Sequence, residues 1–363
     1  MQAAEKLGLR EQVHKEQVWL EIWRELMQET GPGKEDPDDE LYMMDVWQEA
    51  ELLDEVLSRN RQYRGYSQQV LSEGICAPET LSRIETARRA PNTGTFRALA
   101  KKLNLREDYY YSSIQTEDLA LLDQEWQITT LIMNRQWKQA EAALQEMKAK
   151  LDLSYGCNRQ YVENEAFTIG CGLGRIPVEQ QFETAREILA ITVEEVPEEE
   201  DVRKWQEDFW NRPFGPEEIG VLMKMADALK NENKWEQEQF LLEKLLEYYR
   251  RSRVRPEFHF RRVMLIVGRL TGCTGKLGKW KEELAYSEEG IRLCRVSGTW
   301  KLVPGHINNK ADALEHLGQK ETSLQYYRLA FYSAEMFRKN GTAEIAKRSY
   351  EKLLGKPADW YQV

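Results

Sequence analysis

Ten basic side chains fall between Ser58 and Arg106 (Arg59, Arg61, Arg64, Arg83, Arg88, Arg89, Arg97, Lys101, Lys102 and Arg106), against three acidic ones, Glu73, Glu79 and Glu85. That segment carries +7, so the remainder of a chain with net charge −10 carries −17. A compact cationic island in an acidic protein is the electrostatic footprint of a polyanion site, and the acidic remainder discourages loose contact elsewhere. Inside the island Thr80, Ser82 and Arg83 follow Pro78 at helical spacing. Hydroxyl and guanidinium groups so placed hydrogen-bond base edges, and an arginine can pair both acceptors of a guanine. Glu79 beside them accepts from cytosine, caps the helix start or simply faces outward. A charge cluster alone is also what a solvated helix face looks like, so the elements that carry it decide its meaning.

Other chemistries find little support. The five cysteines (Cys76, Cys157, Cys171, Cys273, Cys294) and four histidines (His14, His259, His306, His316) are scattered, with no metal-ligand spacing. The cysteines read as reduced, mostly buried thiols, the histidines are similarly dispersed, and neither a metal nor a cofactor is expected. Gly170-Cys171-Gly172-Leu173-Gly174 is glycine-rich but follows no strand, and Gly275-Lys276 lacks the earlier glycine of a phosphate-binding loop. No Gly-x-Ser-x-Gly elbow occurs, and no enzyme activity is expected. The first residues are charged and no apolar run approaches the roughly 20 residues of a membrane span, so a cytoplasmic protein is expected.

Helical periodicity runs through nearly the whole chain and no stretch sustains period-two alternation, which predicts an all-α fold. Met1 to Thr30 carries Val13, Val18, Leu20, Trp23 and Leu26 at helical spacing, and an acidic stretch containing Pro37 follows as a linker. A helix over 51–64 buries Leu53, Val56 and Leu57. Gly65 ends it, Ser67 is a good N-cap for a short helix running to Gly74, and Pro78 suits the first turn of the next. That next helix buries Leu81 and Ile84 and turns Glu79, Thr80, Ser82, Arg83 and Thr86 to solvent. A helix over 93–103 closes the bundle with Phe96, Leu99 and Leu103. Two short helices at a fixed angle let the second lie in the major groove, while the N-terminus of the first, here Ser67 and Gln68, meets a phosphate. Arg59, Arg61, Arg64, Arg88 and Arg89 are candidates for holding the DNA backbone.

The stretch from Ser67 through Glu85, followed by Arg88-Arg89-Ala90-Pro91, resembles the helix-turn-helix of the phage-repressor (Xre) superfamily. Glu73-Gly74-Ile75-Cys76 followed by Leu81-Ser82-Arg83-Ile84-Glu85 resembles the peptide-responsive PlcR and Rgg type regulators, whose turn is one residue shorter than the commoner form, as here. The resemblance covers roughly 50 residues closely. It implies sequence-specific binding to double-stranded DNA, transcription regulation of the quorum-sensing kind, a homodimer and a short signalling peptide as ligand.

Downstream, Asn134–Glu141, Asn231–Glu238 and Leu277–Leu284 share a turn, a tryptophan and a charged helix start, and Leu317–Leu324 is a later copy. Trp137, Pro177, Trp235, Trp280 and Lys320 mark the units at spacings of 40, 58, 45 and 40 residues. The acidic insertion Glu194 to Asp201 lies in the long interval. These units resemble degenerate tetratricopeptide repeats, helical hairpins that stack into an α-solenoid with a concave surface. Asparagine amides match both donors and acceptors of an extended peptide. Asn158, Asn164, Asn308 and Asn309 fall on first helices of hairpins, and Arg255, Phe258 and His259 near the start of another. The resemblance implies that asparagines there hold a short, extended, largely apolar peptide, while for each residue separately an exposed or capping role stays open.

The organisation expected is thus an N-terminal helical extension with acidic linker over 1–48, a helix-turn-helix domain over 49–113 and a repeat domain for sensing and dimerisation over 114–363. Two functions fit it. One is a ligand-responsive DNA-binding regulator. The other is a protein-interaction scaffold whose small bundle does not bind DNA, kept open because about 50 residues precede the bundle whereas the regulators resembled usually begin with it.

Overall fold

The hairpin turns show why this chain folds as it does. At Arg135, Gly174, Asn233, Gly278 and Gly318 the backbone enters the left-handed region, with φ between 57° and 81°. Each of these residues donates back to the preceding helix, and so does its successor: Gly174 N–H reaches the Cys171 carbonyl at 3.0 Å and Arg175 N–H that of Gly170 at 2.9 Å. This closure satisfies carbonyls that a helix end leaves open and reverses the chain in about three residues. Glycine adopts the conformation without strain; Asn233 and Arg135 do so at some cost.

The protein is described here by a computed structural model covering residues 10–30, 53–86, 88–89, 91, 93–103, 114–116, 118–251, 260–358 and 360. Helices account for all its regular structure, and no strand occurs among the described residues. The chain divides into two compact units, one formed by residues 50–254 and the other by 1–49 together with 255–363.

The first unit opens with a bundle of four helices, α2 (Leu53–Tyr63), α3 (Gln68–Ser72), α4 (Pro78–Glu85) and α5 (Thr93–Lys102). Leu57, Leu71, Leu81, Ile84, Phe96, Leu99 and Leu103 form its core, all at most 4% exposed. The repeat hairpins follow as α6 (Leu119–Met133) with α7 (Trp137–Lys148), α8 (Gly156–Gly172) with α9 (Val178–Leu189), and α11 (Pro216–Asn231) with α12 (Trp235–Arg251). Trp137 and Trp235 begin second helices and Pro177 is the N-cap of α9, so these three sequence marks stand where a hairpin turns. The glycine-rich stretch has a packing explanation: a Cβ on Gly172 would lie 2.5 Å from the Trp137 indole, and one on Gly170 would lie 2.9 Å from Ile176.

The long 58-residue interval holds more than an acidic loop. A 3-10 turn, Val202–Lys204, and the short helix α10, Glu207–Trp210, carry an aromatic cluster into the core. Trp205, Phe209, Trp210 and Phe214 are each at most 5% exposed, and Trp205 stacks on Trp210 at 5.5 Å. The insertion is therefore a packed element of the unit, since burying such rings removes a large apolar area from water.

In the second unit the pairs are α13 (Phe260–Lys276) with α14 (Trp280–Val296) and α15 (Val303–His316) with α16 (Lys320–Met336), followed by α17 (Asn340–Leu354). The N-terminal helix α1 (Arg10–Thr30) packs on α14 and α16, the second helices of these hairpins. It docks by Val18, Ile22 and Leu26, all at most 1% exposed, with Trp23 against Trp300 and Arg328 hydrogen-bonded to Glu25 at 3.2 Å. Leu20, placed on the apolar face by the sequence reading, is 51% exposed, whereas Ile22 lies at the contact centre. The i, i+4, i+8 stripe through Val18 decides the buried face.

Candidate nucleic-acid interface

Helix α4 is eight residues long with Pro78 in its first turn. Leu81 and Ile84 anchor it to the bundle core at 0% and 1% exposure. That anchoring turns Glu79 and Arg83 fully outward, with Thr80 and Ser82 half-exposed beside them. Arg88 and Arg89 stand exposed just past the helix, their backbone N–H groups bonded to the Arg83 carbonyl at 2.8 and 3.1 Å. Arg97 and Lys101 on α5 are exposed too. These cations and short polar side chains lie on a rigid scaffold, which is what a groove-reading surface requires.

Helix α3 begins at Ser67, whose hydroxyl accepts from Val70 N–H at 3.1 Å, so its side chain is a helix cap. Gln68 donates to Glu85 at 2.8 Å, and Lys102 Nζ donates to the Glu73 carbonyl at 3.0 Å, closing the far end of α3. Glu85 is 8% exposed and also accepts twice from Arg61, at 2.6 and 3.0 Å, while Arg61 donates a further bond to the Tyr66 carbonyl. Arg61, Gln68 and Glu85 therefore form one internal network that fixes α4 against α2 and α3. The role of Glu85 was not read from sequence, although its place four residues after Leu81, on the buried side of α4, signals it.

Arg59 and Arg64 point elsewhere. The Arg59 guanidinium lies 4.5 Å over the Tyr248 ring of α12 and 3.6 Å from Glu55. Arg64 lines a cleft between the bundle and the first repeats, with its Nε buried. A count of charges does not say which way each side chain leaves its helix. Arg106 lies outside the described residues.

The asparagines of the repeats divide similarly. Asn158 is wholly buried and its amide is fully used: Gln115 N–H donates to it at 2.6 Å, and it donates to the carbonyls of Gln115 and Asp152 at 2.9 and 2.8 Å. It fastens the chain entering the repeats to the start of α8. Asn164, two turns further on, donates to Glu217 at 3.1 Å and keeps a buried oxygen without a partner. Lys224 donates to the Asn164 carbonyl and to Thr168. The neighbouring Tyr161 hydroxyl is buried without a partner, and burial, with Glu165, Glu125 and Glu217 adding, pushes its pKa upward. In the second unit Asn308 and Asn309 are half-buried on α15, and the Asn308 oxygen has no partner. Arg255, Phe258 and His259 lie outside the described residues.

Residues 57–110 match the family model described as Helix-turn-helix. The bundle is a helix-turn-helix domain. No curated protein sequence matches the chain. Among solved structures it is similar to Bacillus thuringiensis PlcR in complex with the peptide PapR7 and DNA, at 16% identity and TM-score 0.50, over 82% of this chain and 99% of that one. It is also similar to the competence regulator ComR of Streptococcus vestibularis in its apo form, at 13% identity and TM-score 0.45, over 84% and 98%. The Streptococcus dysgalactiae pheromone receptor Rgg2 matches at 14% and 0.42, over 83% and 99%. The PlcR likeness shows the fold, a helix-turn-helix domain joined to helical repeats. No described helix is long and apolar enough to cross a membrane.

Proposed function

We propose that the chain is a sequence-specific DNA-binding transcription regulator whose helical repeats take a short regulatory peptide. The observation that carries the first part is the outward row of exposed Glu79 and Arg83 with half-exposed Thr80 and Ser82, on a recognition helix locked by Leu81, Ile84 and Glu85. In this reading Arg83 reads a base edge, Thr80 and Ser82 add hydroxyl contacts, and Arg88 and Arg89 neutralise phosphates. Ser67 and Gln68 act indirectly, since one caps α3 and the other holds Glu85. A homodimer would place two such helices on paired half-sites.

The peptide part is supported by the relative of the same fold solved with both a peptide and DNA, and by asparagines on first helices of the hairpins. The buried, partnerless oxygens of Asn164 and Asn308 are acceptors left for a ligand N–H, while the amide of Asn158 is already saturated. A net negative repeat region favours neutral or basic peptides over acidic ones. Gel-shift titration against DNA flanking the protein's own gene tests the reading. Retarded complexes outcompeted by specific but not by random duplex are expected; equal competition by both would overturn sequence-specific regulation.

A further inference from the structure

A cleft of about 550 Å³ opens between the helix-turn-helix bundle and the first repeats. That size suits a small organic molecule. The bundle contributes Tyr63, Arg64 and Lys101 to its wall, and the repeats contribute Arg212 and the start of α8 at Tyr155 and Gly156. Arg212 is only 8% exposed. Its guanidinium is held between the rings of Tyr63 and Phe209 at 5.2 and 4.9 Å, it donates one bond to the Glu194 carbonyl, and its Nε has no partner. The Arg64 Nε is likewise buried without a partner, and no carboxylate forms an ion pair with either arginine among the described residues. Helix α8 begins here with no side-chain cap from Tyr155, so the positive end of a 17-residue helix faces the same space.

Three carboxylates also line the cleft, Glu194, Glu217 and Glu218; the Glu194 side chain is exposed, while the other two are engaged within the fold. Glu218 accepts from Gly215 N–H and from Thr192 at 2.5 and 2.8 Å, and Glu217 accepts from Asn164 at 3.1 Å. What the fold leaves unsatisfied is nonetheless cationic: among the described residues the Nε of buried Arg212, the Nε of half-buried Arg64 and the uncapped start of α8 have no anionic partner.

We infer that this cleft binds a small organic anion, a carboxylate or a phosphate ester, whose charged group sits between Arg64, Arg212 and the N-terminus of α8. Its nearby carboxylates disfavour a highly charged ligand. The site is separate from the recognition helix and from Asn308 and Asn309, and it meets Asn164 only through Glu217 of its wall; its occupancy does not depend on either reading. Because its walls come from both the bundle and the repeats, a bound anion ties one to the other.

Calorimetric titration of the full chain with inorganic phosphate and with succinate, at constant ionic strength set by chloride, tests the site and separates the two anion types. Saturable binding of at least one, with Kd no weaker than about 1 mM, is expected. Arg64→Gln should weaken it about tenfold or more, the loss expected for a charge-assisted pair. Tyr155→Asp supplies a carboxylate at the helix end, and it should raise the melting temperature without added anion and remove binding. Both positions tolerate change better than buried Arg212, and retained melting cooperativity confirms folding. No saturable binding of either anion, or wild-type affinity in either variant, would overturn the inference.

Discussion

Arg61 and Glu85 meet through two parallel hydrogen bonds, at 2.6 and 3.0 Å, and so tie the first helix of the bundle to the end of its recognition helix. The arginine side chain is 13% exposed and the carboxylate 4%. Glu85→Ala leaves a largely buried guanidinium without its carboxylate and frees the Gln68 amide. It should destabilise the bundle by about 3 kcal/mol, the cost typical of breaking such a pair from one side. Urea unfolding of the isolated change against wild type measures this, and a difference under about 0.5 kcal/mol would show that the pair is not a brace.

Arg83 is exposed on the outer face of the recognition helix. Arg83→Ala should cost about 1–3 kcal/mol at the specific site and leave random duplex almost unaffected. An equal loss on all sequences would make Arg83 a phosphate contact.

Asn158 and Asn308 should respond differently to the same truncation. Asn158→Ala removes the partners of one N–H and two carbonyls in a wholly buried place, and should lower stability by about 2 kcal/mol. Asn308→Ala removes a half-buried group whose oxygen has no partner, so it should leave melting nearly unchanged and weaken peptide binding. Paired melting curves and peptide titrations separate the two. A peptide affinity unchanged in both Asn308→Ala and Asn309→Ala would remove these residues from the site.

How much of this is visible in the sequence depends on the range of the interaction. Pro78 at a helix start, Leu81 and Ile84 at i, i+3, and the tryptophans that begin second helices are local signals, and each stands where the pattern put it. The contact of Arg59 with Tyr248 and the network around Glu85 join distant positions, so no periodicity reports them. The Asn158 amide is likewise committed to Gln115 by a chain reversal that a helix pattern does not contain. Sequence located the cationic surface but overcounted its outward members, because burial sorts arginines by direction and charge does not.

Two buried ionisable groups of the second unit give its stability a pH dependence of opposite signs. Burial, with Asp312 adding, pushes the Glu283 carboxyl up to about 8, and burial brings the His306 imidazole down to about 4. Glu283 is neutral when folded and ionises on unfolding, so its contribution is full below about 4.5 and is lost as pH rises toward 8. His306 binds a proton more readily when unfolded, so its contribution is full above about 6.5 and is lost as pH falls toward 4. Melting temperature should peak between these limbs, and Glu283→Gln should flatten the alkaline one. An alkaline limb of wild-type steepness in Glu283→Gln would assign the titration to another group.

Binding of duplex DNA by the exposed face of the helix-turn-helix domain decides the proposed function most directly. Fluorescence anisotropy of a labelled operator fragment, titrated with the full chain across a salt series, measures it. Log affinity should fall linearly with log salt, by about 0.9 for each phosphate neutralised, and Arg88→Ala should make the slope shallower by about one such unit. A flat salt response, or no binding at low salt, would contradict the account.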